Sequence, residues 1–256
     1  MDKHTITQVS HQNWTTIINL HPYDTSLSKS CYIQNSTSRL TDRQLRKFKK
    51  NAKNFFKKTN TMQTDSINYY NKNARLYFDA TKNIDVSFNQ NKFLKYLPPN
   101  KGKILDVGCG SGRDSLFFKK KGFDVESIDA SIELASLAER YIDSPVKVIK
   151  AEEIAYSNDF DGIWCMASLL HTPKRDLLKT FKKLDRALKN NGVIYASFKY
   201  GDKDAVQSNE RRFTNMDEKS LNSIFSKLKS NFCLDIYKTK DELGTTWINV
   251  NAKKTR

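Results

Sequence analysis

The chain has 256 residues, 38% of them hydrophobic, with 44 Lys and Arg against 28 Asp and Glu, a net charge of +16. That length suffices for one domain with a real core plus an extension, and the charge favours meetings with polyanions such as nucleic acid or an anionic surface. No run approaches the roughly 20 apolar residues of a membrane-spanning helix, and the polar start lacks a signal-peptide pattern, so a soluble, cytoplasmic protein is expected. Cys31, Cys109, Cys165 and Cys233 are widely spaced with no CxxC pair, which argues against a metal site and against a secreted disulfide framework. Nothing in the composition predicts an oligomeric state.

Residues 1–38 are rich in Ser, Thr, Asn and Gln without a sustained period, and they are read as loop or weakly ordered chain. Residues 39–58 carry nine basic side chains against one acidic, half of the net charge. Thr41 and Gln44 have capping-box spacing, and Leu45, Phe48, Ala52, Phe55 and Phe56 share a face, which predicts a basic amphipathic helix. Such a helix either docks on the protein by its apolar stripe or contacts nucleic acid, a membrane or a partner. INYYNKNARLYFDAT at 67–81 predicts a second helix with Tyr70, Tyr77 and Phe78 on one face, and a third is expected over 90–96 before Pro98 and Pro99. Residues 1–63 are therefore an extension, and 64–100 a helical cap on the domain that follows.

Beyond the prolines, short β-rich runs at 103–107, 124–128, 146–149, 160–165 and 192–198 alternate with helical patterns at 113–121, 132–141 and 174–189, the texture of parallel βαβ units. A helix over 217–229, then FCLDIYK and TTWINVNA, predicts a closing antiparallel hairpin. The fold class is α/β, Rossmann-like, with helices on both faces of a mostly parallel sheet.

Asp106-Val-Gly108-Cys109-Gly110-Ser-Gly112 lies between a strand and a helix, where a tight turn and close ligand approach require bare backbone. The glycines alternate as GxGxG rather than the GxGxxG of a dinucleotide loop, a spacing that suits S-adenosylmethionine (SAM), which has no pyrophosphate to seat on a helix N-terminus. Asp129 ends the second strand, where a carboxylate can accept from both ribose hydroxyls, with Ala130 beside it. Together these features resemble the class I SAM-dependent methyltransferases over roughly residues 66–252. YYNKNARLYFDAT, ILDVGCGSGRDSLFFKKKGFDVESIDAS, CMASLLHTPK and SFKYG are similar to the small bacterial members related to the tellurite-resistance and thiopurine type.

The resemblance implies a seven-stranded sheet whose last strand is antiparallel, Asp106 near the SAM amino group, the glycine loop around the methionine part and Asp129 on the ribose. After the third strand this chain has Lys150-Ala151-Glu152-Glu153 where the family commonly has Asp-Ala or Asp-Phe, so Glu152, backed by Ala151, is the candidate adenine contact.

Methyl transfer is an in-line displacement that positioning and water exclusion can promote without an elaborate triad. Candidates at the end of the fourth strand are Trp164, Cys165, Ala167, Ser168 and His171, with Ala167 assigned to the cofactor. His171 is either a proton acceptor or a structural loop residue, and Tyr70 is named beside it. Tyr77, Lys199, Tyr200, Arg211 and Arg212 are candidate acceptor contacts, the arginines suiting an anionic group or pairing with Glu210. No D/N-P-P-Y/F pattern or Pro-Cys pair occurs at this strand, which disfavours amino methylation of nucleic-acid bases and cytosine-carbon methylation. A small-molecule acceptor is expected. An RNA methyltransferase docking through 39–58 and a SAM-binding regulatory protein without catalysis are the alternatives.

Overall fold

The computed structural model describes residues 6–11, 14–19, 64–98, 102–202, 205–206 and 211–255, and the chain divides into two compact units, Met1–Phe56 and Lys57–Arg256. In the first unit, β1 (Ile6–His11) and β2 (Trp14–Asn19) pair antiparallel with Ile6 opposite Asn19 and His11 opposite Trp14. This corrects the expectation of loop over 1–38: the runs are dense in β-branched Ile, Val and Thr, which favour extended backbone even among polar neighbours. The expected basic helix over 39–58 lies outside the described residues.

The second unit opens with three short helices. The single helix expected over 67–81 is two, α1 (Thr64–Lys72) and α2 (Ala74–Thr81). They meet at Asn73, whose φ of −113° and ψ of 17° leave the helical range although its N–H still bonds the Tyr69 carbonyl at 2.9 Å; its side-chain amide donates to the same carbonyl at 2.8 Å. α3 (Ser87–Leu94) begins three residues earlier than expected and buries Phe93.

A seven-stranded sheet follows, built from β3 (Lys103–Val107), β4 (Asp124–Asp129), β5 (Val146–Val148), β6 (Phe160–Cys165), β7 (Leu188–Lys199), β10 (Asn231–Lys240) and β11 (Thr246–Thr255). Its order is β10-β11-β7-β6-β3-β4-β5. β11 runs antiparallel to both of its neighbours and the other pairings are parallel, as the resemblance implied. The connecting helices α4 (Arg113–Lys120), α5 (Ile132–Ile142) and α6 (Lys174–Ala187) close near the expected bounds. β7 starts earlier than expected because Leu188 pairs with Phe160 across a register shift that resumes at Gly162 and Val193. A two-residue pair, β8 (Ala205–Val206) with β9 (Arg212–Phe213), and α7 (Glu218–Phe225) lie between β7 and β10. No described helix is long and apolar enough to cross a membrane.

The central strands are buried on both faces, as a parallel sheet covered by helices requires. One side holds Leu177, Phe181 and Leu184 of α6 against Ile163, Ile194 and Phe198, each fully buried apolar side chain contributing about 1.5–3 kcal/mol. The other packs Phe93 and Phe118 against Trp164, which stacks on Tyr195 at 3.9 Å between ring centroids. On this second side sits a polar knot: the Asp114 carboxylate accepts from Gln90 at 2.7 Å, Trp164 Nε1 at 3.0 Å, and Arg113 Nε and Nη2 at 2.9 and 2.8 Å. It joins the cap helix α3 to the sheet.

Candidate functional site

At the carboxyl ends of β3, β4 and β6 the chain leaves a cleft, in the place where open α/β sheets present ligands. Its floor is the glycine loop. The N–H groups of Gly108 and Cys109 both donate to the Ile128 carbonyl, at 2.8 and 2.9 Å, which ties the loop to β4. Gly108 has φ +71°, and a Cβ there would lie 2.5 Å from Ser168 Cβ, so only glycine lets the loop pass this wall.

Asp129 forms one side. Its Oδ2 accepts from Gly110 N at 2.9 Å and its Oδ1 from Ser131 N at 2.8 Å, with the Ala130 N–H also donating to the carboxylate. Burial pushes its carboxyl upward, and the backbone donors oppose that shift. Ser131, not Asp129, caps α5, accepting from Leu134 N at 3.2 Å while donating to Asn71 of α1 at 2.6 Å. Beyond β5, a short 3₁₀ turn over Ala151–Glu153 brings Ala151 and Glu152 to the cleft.

The opposite side comes from the end of β6 and from the cap. Ala167 lines the cleft in left-handed conformation, φ +48°, a strained state for a residue with a Cβ. Its N–H is held by Ser197 Oγ at 2.8 Å. Ser168 follows, and its buried hydroxyl has no protein hydrogen-bond partner. His171 then closes a 3₁₀ turn, Leu169–His171. Its Nδ1 lies 2.8 Å from the Arg212 carbonyl and its Nε2 2.8 Å from Tyr70 Oη. Because a carbonyl can only accept, Nδ1 carries the ring proton and Nε2 accepts from the Tyr70 hydroxyl. Burial lowers His171 from its ordinary 6.5 to about 4, with the charges of Arg211 and Lys199 acting in the same direction. Burial likewise raises the Tyr70 hydroxyl, against a partial opposing effect of a hydrogen bond from Arg211. The pair is thus neutral near pH 7.

The cleft wall therefore brings together Tyr70, Tyr77, Gly108, Gly110, Asp129, Ala130, Ala151, Glu152, Ala167 and His171 from widely separated positions. Three expected cofactor contacts lie off it. Asp106 is buried one layer below, accepting from Ser115 Oγ at 2.6 Å; burial and the nearby Asp114 charge push its carboxyl up. Cys109 packs with α5, and Gly112 is needed for helix packing, since a Cβ there would meet Ile142 Cγ2 at 2.7 Å.

Among the expected acceptor contacts, Tyr200 is 42% exposed with Lys238 Nζ 3.8 Å over its ring. Lys199, Arg211 and Arg212 adjoin the wall without lining it. Ser66 and Ile67 of α1, Lys150 and Thr172 also line the cleft. Sequence reasoning passed over Ser66, whose one signal was its place just ahead of the Tyr-rich face; its Oγ accepts from Arg212 N at 3.3 Å.

Residues 104–192 match a family model described as a methyltransferase domain. The chain is similar to the Bacillus subtilis protein YqeM, which bears a methyltransferase name, at 33% identity over 119 residues, 42% of this chain and 48% of that one. It is also similar to a ubiquinone biosynthesis O-methyltransferase of Histophilus somni, 33% identical over 106 residues, 37% of this chain and 44% of that one. The chain thus spans about half the length of these curated relatives. Among solved structures, it is similar to the Burkholderia thailandensis 1,6-didemethyltoxoflavin-N1-methyltransferase with bound 1,6-didemethyltoxoflavin and S-adenosylhomocysteine. There the TM-score is 0.62 at 19% identity, covering 78% of this chain and 90% of that one. Magnesium protoporphyrin IX methyltransferase of Synechocystis with bound S-adenosylhomocysteine gives 0.56 at 13% identity, covering 75% and 99%. At these identities the structures establish the fold alone, and the matched methyltransferase domain lies inside it, from β3 into β7.

Proposed function

We propose that the chain binds SAM in this cleft and transfers its methyl group to a small-molecule acceptor. The observation that carries the reading is that the Asp129 carboxylate and the unpartnered Ser168 hydroxyl line one cleft together with the bare backbone of Gly108 and Gly110. A polar, ribose-bearing ligand would satisfy both. Glu152 and Ala151 at the same wall are the groups that would meet an adenine, and the similar Burkholderia enzyme holds S-adenosylhomocysteine and 1,6-didemethyltoxoflavin on the same fold.

When bound, SAM supplies an electrophilic methyl on a sulfonium, so that a bond forms from the acceptor atom to carbon while the carbon–sulfur bond breaks, its electron pair staying on sulfur. The protein's share is placement and dryness. His171 is too weak a base to drive the step: taking a proton from a phenol of pKa about 10 onto a base of about 4 is uphill by about 8 kcal/mol. Its role is to fix the hydroxyl of Tyr70. With the Tyr70 proton committed to His171 Nε2 and Arg211 donating to its oxygen, one lone pair remains to orient the acceptor's own O–H or N–H. An acceptor that is already anionic, or one that loses its proton to water after transfer, needs no stronger base.

Calorimetric titration with SAM and S-adenosylhomocysteine tests the cofactor. Binding with a Kd on the order of micromolar, weakened at least about tenfold by Asp129→Ala, is expected. Absence of binding to the intact protein would end the proposal, and full binding by Asp129→Ala would remove Asp129 from it.

A further inference from the structure

Gly110 joins two lining groups of the cleft. Its N–H donates to the Asp129 carboxylate at 2.9 Å, and where its Cβ would stand the nearest contact is Tyr77 Cε1, at 3.4 Å. The ring of Tyr77 thus lies against bare backbone of the glycine loop, next to the carboxylate that a ribose would meet, and Tyr77, Gly110 and Asp129 all line the cleft. The ring is held there. The Tyr77 N–H donates to the Asn73 carbonyl at 2.9 Å and its own carbonyl accepts from Thr81 Oγ at 2.7 Å. The side chain packs with Ala74, Phe78 and Leu134, and its ring meets that of Tyr70 at 75°, with the centroids 4.9 Å apart.

SAM and its product differ by one methyl group and one positive charge on sulfur, and that sulfur is a single carbon removed from the ribose ring. A group that reads the charge must therefore stand beside the ribose site, and the lining side chains offer few candidates. Asp129 is taken up by backbone N–H groups and the ribose hydroxyls, and Glu152 lies beyond β5, on the adenine side. Tyr70 has its hydroxyl bound to His171 and its ring set among those of Tyr69, Tyr77 and His171, with centroids 5.5, 4.9 and 5.2 Å away. Tyr77 is left. An aromatic ring carries negative potential on its face and attracts a cation within about 6 Å of its centroid, more strongly where water is excluded. The strongest charges acting on Tyr77 are two of each sign, Arg113 and Arg211 against Asp129 and Asp114, so its described surroundings hold no surplus of positive charge that would repel a cation.

We infer that Tyr77 serves the cofactor rather than the acceptor, its ring holding the positively charged sulfur of SAM beside the ribose site by a contact that the demethylated product cannot make. The inference rests on the reading of the cleft as a SAM site. The positive charge leaves sulfur when the methyl group is transferred, and the hold of Tyr77 goes with it, whereas Asp129, Glu152 and the glycine loop treat donor and product alike. The residue that seats the donor thereby eases release of the product. Because the Tyr77 ring also packs on Tyr70, the group that places the donor touches the group that orients the acceptor.

The test is calorimetric titration of the full chain with SAM, with S-adenosylhomocysteine, and with sinefungin, which carries an ammonium group where SAM carries the methylsulfonium. Tyr77→Leu should weaken SAM and sinefungin roughly tenfold while S-adenosylhomocysteine changes less than about threefold, and Tyr77→Phe, which keeps the ring, should hold all three within about threefold of the wild type. Retained binding of S-adenosylhomocysteine shows the Leu variant folded. Should that variant bind none of the three, a fluorinated phenylalanine at position 77 keeps the shape of the ring while withdrawing electron density from its face, and relative to Tyr77→Phe it should weaken the two cations alone. Unchanged SAM affinity in Tyr77→Leu, equal weakening of all three ligands by Leu or by the fluorinated ring, or a Phe variant as impaired toward SAM as the Leu variant would overturn the inference. Failure of the wild-type protein to bind either SAM or S-adenosylhomocysteine would instead strike the reading of the cleft as a SAM site.

Discussion

Replacing His171 with Gln removes one titrating group from the cleft wall, and the structure gives the size of what should change. In the folded chain His171 stays neutral down to about pH 4, whereas its ordinary value is 6.5. Between those values the unfolded chain binds a proton that the folded chain refuses, so stability falls as pH drops through 6.5 and levels off below 4. At pH 5 the two binding polynomials differ by a factor of about 30, worth about 2 kcal/mol. Buried carboxyls with raised values, such as Asp129 and Asp106, are protonated more readily in the folded chain and push the other way, so the wild-type curve alone mixes the two. Comparison with His171→Gln isolates the histidine. Urea unfolding at pH 7.5 and 5.0 should show the wild type losing about 2 kcal/mol more than the variant over that interval. Parallel losses in the two proteins would mean that His171 is protonated in the folded state, and the assignment of its ring proton to Nδ1 alone would be wrong.

Two further substitutions probe the framework. Gly108→Ala should cost about 2–4 kcal/mol in a denaturant titration, because it combines a left-handed backbone with a Cβ 2.5 Å from Ser168; Gly110→Ala, whose Cβ would meet only Tyr77 at 3.4 Å, should cost less. Asp114→Ala strands the Arg113 guanidinium and the Gln90 and Trp164 donors in the interior and should cost about 3–5 kcal/mol by the same measurement. A loss below about 1 kcal/mol would show the knot to be dispensable.

Much of the second unit was legible in the sequence, for a common reason: its signals are local. Gly108, Gly110 and Gly112 stand between an apolar strand and a helix, and Asp129 ends the next strand, so spacing alone located the floor and one side of the cleft. What stayed hidden depends on distance along the chain. Tyr70 and His171 are 101 positions apart, and Arg212 meets His171 and Ser66 from a third region; periodicity carries no information on such meetings. The same separation hides the environment of His171, whose lowered basicity comes from burial by elements that no window around it contains. For Gly112 the spacing suggested ligand contact, and a packing need that the spacing does not reveal stands beside it, since a Cβ there would meet Ile142 of α5. The hairpin over 6–19 was missed because polar composition outweighed β-branching, and the break at Asn73 because it is a departure of one residue's backbone angles within an otherwise continuous helical pattern.

The position of β11 has a consequence for the order in which the protein can assemble. This strand is delivered after every other strand of the sheet, yet it sits inside the sheet, with β7 on one flank and β10 on the other. Until residues 246–255 arrive, β7 has an open edge along Val193 to Phe198, a stretch buried in the finished fold, and β10 has no partner. During synthesis the parallel half can form while this edge waits unpaired, a state prone to joining other chains. Closing it requires a pairing of high sequence separation, which places the slow step of folding at the end. A nascent chain of this protein should therefore depend most on chaperones in the interval when α7 and β10 have emerged and β11 has not.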